Sequence, residues 1–272
     1  MLDPEKYENN KSVAARDAAE FVPKIIDLME WKNTHENVLD YGCGAGSTGY
    51  NLILPQIEKF DSNLYSVDIS EPMLDFAKQK YSHPRITYAK GDIEKDFPFE
   101  NVKFDKIFSI YVLHFISDIR NALKEFHHIL KPGGYFGFTL VPKSYYRRSF
   151  KILAESEKWK EYMKGYQDHV LQWMEYEDEK GQEALSAILH EAGFEIVKLE
   201  VVQRSFKFDN MNTYLELYLS INPFLKTIPE DLHKLFKDDL RRLVTEFAGI
   251  PFDSEEIVSK YEFVLAVVQK PQ

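Results

Sequence analysis

Val38-Leu39-Asp40-Tyr41-Gly42-Cys43-Gly44-Ala45-Gly46-Ser47 is the stretch whose reading decides the fold. An apolar pair runs into an acid and then into glycines at every second position. The pattern reads as a β-strand that ends in a tight turn. Glycine supplies the φ freedom for that turn and, lacking Cβ, lets a ligand lie against bare backbone. Downstream, Leu64-Tyr65-Ser66-Val67-Asp68-Ile69-Ser70 reads as a second short strand that also ends in an acid. A glycine loop followed at about 20 residues by a strand-end acid marks a site that holds a ribose by its hydroxyls. The spacing is G-x-G-x-G, not the G-x-G-x-x-G of dinucleotide binders, and no Gly-Lys-Ser/Thr follows. A nucleoside without a pyrophosphate therefore fits better.

Outward from the loop the chain alternates. Residues 12–31 recur at helical spacing through Val13, Ala14, Asp17, Phe21, Ile25, Leu28 and Met29. Strand 38–41 precedes a helix at about 46–59. Strand 64–67 precedes a helix at about 71–80, with Ser70 at its N-cap and Pro72 in its first turn. Strand 86–89 ends near Gly91-Asp92. Strand 105–110 precedes a helix at 118–130, which Lys131-Pro132-Gly133-Gly134 stops before strand 134–141. This rhythm predicts an α/β fold, doubly wound, with a mainly parallel sheet covered on both faces. Ligands then lie at the carboxyl ends of the strands, where Asp40, Asp68, Asp92 and Ser109 fall together.

The rhythm breaks after Pro142. Residues 143–180 are helical in pattern and aromatic, with Tyr145, Tyr146, Phe150, Trp159, Tyr162, Tyr166, Trp173 and Tyr176. A helix at 182–192 ends at Gly193, strand 194–206 follows, and a second helical insertion spans about 210–250 with Tyr214, Tyr218 and Phe236. Tyr261 to Gln269 forms the last strand. One domain over 1–272 with a helical cap from the two insertions accounts for this order. Much of the aromatic content must be a second small core.

Composition narrows the function. The 44% hydrophobic and 29% charged shares are those of a soluble globular chain, while the 14% aromatic share suits an aromatic-lined pocket. The net charge of −10 repels phosphate backbones and argues against nucleic acid. The best basic cluster, Lys143 with Arg147 and Arg148, reads as a solvated helix face. A lone cysteine, Cys43, excludes an intramolecular disulfide and suits a reducing compartment. No apolar run long enough to span a membrane is present, and the expected location is the cytoplasm. His127 and His128 are helix neighbours that point apart, and no H-E-x-x-H or comparable cluster occurs, so no metal is expected. There is no G-x-S-x-G elbow for hydrolase chemistry.

Asp40, Gly42, Gly44 and Gly46 match the D-x-G-x-G-x-G that closes the first strand of the seven-strand S-adenosylmethionine-dependent methyltransferases, which the arrangement resembles. The resemblance implies a Rossmann-like seven-stranded sheet whose last strand is antiparallel. It implies S-adenosyl-L-methionine as cofactor, S-adenosyl-L-homocysteine as product, and a small-molecule substrate on a monomer or homodimer. Asp68 then accepts from the ribose diol as a charge-assisted bidentate acceptor. Asp92 accepts from the adenine amino group, the next backbone N–H donates to the ring, and Ile69 and Ile93 sandwich the adenine. Met73 joins the cofactor contacts. Asp40 lies near the cofactor's ammonium, Ser109 faces its methionine part, and Arg16 pairs with its carboxylate or is a plain surface cation.

Over most of its length the chain looks like the insect juvenile hormone acid O-methyltransferases. The shared features include Tyr7 with Ser12 and Arg16-Asp17-Ala18, Leu113-His114, Glu157-Lys158-Trp159 and Ile221-Asn222-Pro223-Phe224. That family tends to have Gln where Ala14 stands and Trp where Phe115 stands, both expected to hold the substrate carboxylate. Ala14 cannot donate, and Phe115 has no N–H. Losing both donors costs on the order of 2–5 kcal/mol unless others replace them. His114, Tyr7, Trp159 and Asn222 are the candidates, and Tyr218 adds a phenol from the cap. Three readings stay open: methylation of an apolar carboxylate; methylation of an amine or hydroxyl with His114 as general base; and a cofactor-binding homologue that has lost activity.

Overall fold

The computed structural model describes residues 4–32, 35–169 and 179–272. Its centre is β1 (Asn37–Tyr41), parallel to β2 (Asn63–Asp68) on one side and to β4 (Phe104–Ile110) on the other. Val38 and Leu39 are both fully buried, as a strand covered on both faces requires. The seven strands run β3-β2-β1-β4-β5-β7-β6. Here β3 is Ile86–Lys90, β5 is Leu130–Leu140, β6 is Glu195–Phe208 and β7 is Ile257–Gln269. β7 is antiparallel to both β5 and β6; the remaining pairs are parallel.

Alternate side chains feed two cores. Val38, Leu64 and Phe108 join one, packed under α2 (Ser12–Asp27), α3 (Leu54–Ile57), α6 (Tyr145–Glu155), α8 (Met211–Ser220) and α9 (His233–Ala248). Leu39, Val67 and Ile107 join the other, under α5 (Ile119–Ile129) and α7 (Glu179–Glu191). α4 (Glu71–Lys80) falls where its apolar spacing put it.

Four elements depart from the sequence reading. The helix expected at 12–31 ends at Asp27, and a separate α1, Pro4–Asn10, precedes it. The helix expected at 46–59 is a π-helical turn at Gly49–Ile53, then the short α3, then a 3₁₀ turn at Glu58–Phe60. Pro55 lies at this junction; it has no N–H to donate and its ring crowds the preceding turn, so the ladder widens. The strand expected at 134–141 extends back to Leu130, which pairs with Phe104. The strand expected at 261–269 extends back to Ile257. Residues 170–178, with Trp173 and Tyr176, lie outside the described residues. Among the described residues no helix is long and apolar enough to cross a membrane.

Candidate active site

The glycine loop is pinned to the end of β2. Gly42 and Cys43 both donate their N–H to the Val67 carbonyl, at 2.7 and 3.0 Å. The three glycines have φ of +74°, +53° and +86°, a region L side chains avoid. A Cβ on Gly42 would strike the Val112 side chain at 2.2 Å, and one on Gly46 would reach Ala77 Cβ at 2.8 Å. A Cβ on Gly44 would meet nothing within 4 Å. Two glycines are thus required by packing, and the third looks onto open volume.

Asp68 joins this loop to α4. One carboxylate oxygen accepts the Gly44 N–H and the other the Ser70 N–H, each at 2.8 Å. Ser70 occupies the N-cap position of α4 but makes no side-chain capping bond. A carboxylate has about four acceptor positions; Gly44 and Ser70 take two, and the Ile69 N–H also bears on the carboxylate. Burial pushes the Asp68 carboxyl upward while the backbone donors pull it back.

Asp40 is more isolated. Only 2% exposed, it lies beneath the first turn after the loop, where a Cβ on Gly49 would come within 2.5 Å of Oδ2. That oxygen has no hydrogen-bond partner. Burial, reinforced by the charge of Asp68, pushes the Asp40 carboxyl up to about 7.

Asp92 is partly exposed, and its carboxylate accepts the Glu94 N–H at 3.0 Å. Ile69 is 64% exposed, an apolar side chain bare to solvent beside the loop, whereas Ile93 is buried. Two cofactor expectations are corrected at this end. The Ile93 N–H, expected to meet an adenine ring, donates to the Tyr41 hydroxyl at 3.1 Å. Met73 is fully buried, so it has no surface to offer a ligand. A third correction concerns Arg16. Its guanidinium donates to Asp17, to the Tyr261 hydroxyl on β7 and to the Ser205 carbonyl on β6, so three of its donors are already taken.

At the end of β4, Ser109 is fully buried with no partner for Oγ. Two residues on, Tyr111 has φ +63°, a left-handed conformation costly for a bulky side chain. Its backbone N–H donates to the Thr139 carbonyl at 3.1 Å, and its hydroxyl donates to the fully buried Asp17. The Tyr261 hydroxyl donates to the same carboxylate, and Arg204 lies 3.1 Å from it. No sequence pattern marked Tyr111; only its backbone geometry does.

His114 follows on a 3₁₀ turn (Leu113–Phe115). It is 5% exposed, and its Nδ1 accepts the Val141 N–H at 3.3 Å. A backbone N–H can only donate, so the neutral ring carries its proton on Nε2. Burial, then the Arg147 charge, lowers the His114 pKa well below its usual value. Phe115 is 42% exposed, its ring 4.3 Å from the His114 ring. Ala14 is half-buried on α2.

The helical segments supply the rest. Tyr7 sits on α1, and its hydroxyl is pushed up to about 12 by burial, then by Glu8 and Asp68, which brings α1 to the strand ends. Ser47 and Tyr81 donate to the Glu8 carboxylate at 3.3 and 3.1 Å, and Lys11 bonds both Glu8 and Ser47. Tyr218 stacks on Tyr146 at 4.3 Å and packs against Tyr214 at 4.6 Å. Asn222 accepts the Phe224 N–H at 2.9 Å, and its buried Nδ2 has no partner. Trp159 is corrected: its indole N–H is taken by Asp239 at 2.9 Å and its ring packs edge-on against Phe236, so it is core.

Comparisons fit this geometry. The sequence profile of the methyltransferase domain matches residues 39–138, from β1 through most of β5. The juvenile hormone acid O-methyltransferase of Drosophila melanogaster is 26% identical, covering 97% of this chain and 91% of that protein. Its counterpart from Bombyx mori is 25% identical, over 90% and 87%. Among solved structures, a protein of Bacillus halodurans classed as a methyltransferase superposes with a TM-score of 0.60 at 18% identity, covering 92% of this chain and 99% of that one. The chain is a class I S-adenosylmethionine-dependent methyltransferase. Within that class it is similar over nearly its whole length to the two insect juvenile hormone acid enzymes.

Proposed function

We propose that this enzyme methylates the carboxylate oxygen of a small, largely apolar acid of the juvenile-hormone-acid, fatty or terpenoid kind, as one cytoplasmic domain capped by helices. One observation carries the choice of acceptor: His114 presents a protonated Nε2, because its Nδ1 is filled by the Val141 N–H. A carboxylate is ionised at neutral pH and needs a donor to hold it, not a base to deprotonate it. A neutral N–H suits that task. The base-requiring reading would need a free imidazole lone pair, and the only one is already occupied.

The cofactor supplies a sulfonium methyl group that a nucleophile takes in line. The residues at the strand ends fit such a ligand. Gly44 opens onto free volume, Asp68 keeps acceptor capacity for a ribose hydroxyl, and Ile69 offers an apolar face for a base beside Ile93 and Asp92. Asp40 offers a buried carboxyl oxygen with no partner to an ammonium, with the unpaired Ser109 Oγ at the neighbouring strand end. Tyr7 closes the mouth. Tyr218, stacked on Tyr146, and the unpartnered Nδ2 of Asn222 are the polar groups the cap would offer an acceptor. Positioning is then the main source of rate, worth effective molarities of about 10⁵ M or more.

Calorimetric titration with S-adenosylhomocysteine, followed by a panel of fatty and terpenoid acids, tests this. The expected result is one site per chain, methyl esters by mass spectrometry, and a rate at saturating cofactor flat from about pH 6 to 9. Absence of product binding sinks the site. Methylation confined to amines or hydroxyls sinks the acceptor assignment. Binding with no turnover on any acid favours the inactive homologue, for which Ala14 and Phe115 are the motivating departures.

A further inference from the structure

Arg147 was read from the sequence as part of a solvated helix face, and its surroundings are otherwise. It sits in the first turn of α6, where its backbone N–H is held by the capping oxygen of Ser144 at 3.2 Å. Its side chain turns back toward β4. One Nη donates to the His114 carbonyl at 3.2 Å, and Cζ lies 6.0 Å from the centre of the Phe115 ring. Arg16, Arg85, Arg120, Arg204, Arg241 and Arg242 each face a carboxylate. Arg148 lies exposed over Phe247. Arg147 has no carboxylate partner among the described residues. Its nearest titratable neighbours are His114 and the phenols of Tyr146 and Tyr218, all neutral at pH 7, and burial lowers the guanidinium to about 10. The guanidinium is therefore still charged at neutral pH, partly buried, and without a counter-ion among the described residues.

We propose that Arg147 is the specificity-determining residue of the acceptor site, its guanidinium supplying the counter-charge that receives the substrate's carboxylate beside the His114 Nε2–H. The inference rests on the carboxylate reading above. One of five N–H donors is spent on the His114 carbonyl, leaving four on a planar fork shaped for a carboxylate. Phe115 then acts as an apolar wall, which its exposed ring under the guanidinium suits.

The test is calorimetric binding of decanoic acid and of decanamide to the protein saturated with S-adenosylhomocysteine, in wild type, Arg147→Met and Arg147→Lys. Wild type should prefer the acid to the amide by about tenfold or more, the usual value of a charge-assisted bond. Arg147→Met should lose that preference through the acid alone, with amide and S-adenosylhomocysteine binding unchanged within about twofold. Arg147→Lys, which keeps the charge but not the fork, should keep part of the preference and serves if the Met variant does not fold. Preference for the acid that survives in Arg147→Met, or Lys and Met variants that behave alike with the preference intact, overturns the role of Arg147 while leaving the carboxylate reading standing. A wild type that binds S-adenosylhomocysteine yet shows no preference for decanoic acid over decanamide, or binds neither, overturns both.

Discussion

Replacing Asp40 with Asn should make the protein more stable at neutral pH, and increasingly so as pH rises. The Asp40 carboxyl is raised from 3.8 to about 7 by burial first and by Asp68 second, and its Oδ2 has no partner. In the unfolded chain this group ionises near its ordinary value. Between about pH 4 and 7 the folded state thus holds a proton that the unfolded state has released. Stability falls with pH wherever the native state binds more protons. A rise of that size corresponds to about 4 kcal/mol lost by pH 8, at about 1.4 kcal/mol per tenfold change. Asn keeps the shape and does not ionise. In denaturant melts from pH 5 to 8.5, the gap in favour of the variant should widen from about 1.5–2 kcal/mol at pH 5 to about 4 kcal/mol at pH 8. In thermal melts, at about 2–4 °C per kcal/mol for a chain of this size, the gap is roughly 8–16 °C. Other titrating groups are common to both proteins and cancel in the difference. Parallel curves, or a variant that loses ground at high pH, would refute the reasoning. On the proposed cofactor site, which uses Asp40, S-adenosylhomocysteine affinity should fall in the same variant.

Two further outcomes separate ligand contacts from packing. Gly44→Ala faces open volume and should cost only about 1–2 kcal/mol for its left-handed backbone, yet weaken S-adenosylhomocysteine by more than about tenfold; Gly46→Ala, driven against Ala77, should lose more stability than that in the same melts. At the opposite end of the strands, Lys106 is 1% exposed, 2.6 Å from the equally buried Glu36, and lies over the Trp31 ring. Lys106→Ala should destabilise by about 3–5 kcal/mol because Glu36 is left as a lone buried charge, and Lys106→Met with Glu36→Gln should restore most of it; a double variant no better than the single would contradict that account.

What the sequence made legible was periodic or glycine-marked. β1, β2 and α4 followed from apolar alternation and helical spacing, and each strand-end acid was placed correctly. α1 was not legible: Pro4–Asn10 is short and polar, and the partners that hold it, Ser47 and Tyr81, are far along the chain. The broken helix after the loop needed the geometry of Pro55. The errors at Ile93, Arg16 and Trp159 share one cause. Each has a donor whose partner, Tyr41, Asp17 with Tyr261, or Asp239, is chosen by tertiary packing. Arg147 was misjudged for the same reason, since spacing says that a helix has an inner side but not which residues the sheet will draw into it.

The position of β7 constrains how the molecule is assembled. It is the last of the seven strands, yet it lies between β5 and β6, and among the described residues β6 pairs with no other strand. Until residues 257–269 arrive, β5 presents an unpaired edge and the fourteen-residue β6 has no neighbour at all. Ribosomal synthesis therefore delivers the strand that closes the sheet after every element it must join, including α8 and α9, which the chain has to lay down between β6 and its partner. A truncation before Ile257 would not trim this enzyme. It would leave an open edge on the sheet and a loose strand, the two features that make a partly made β structure aggregate.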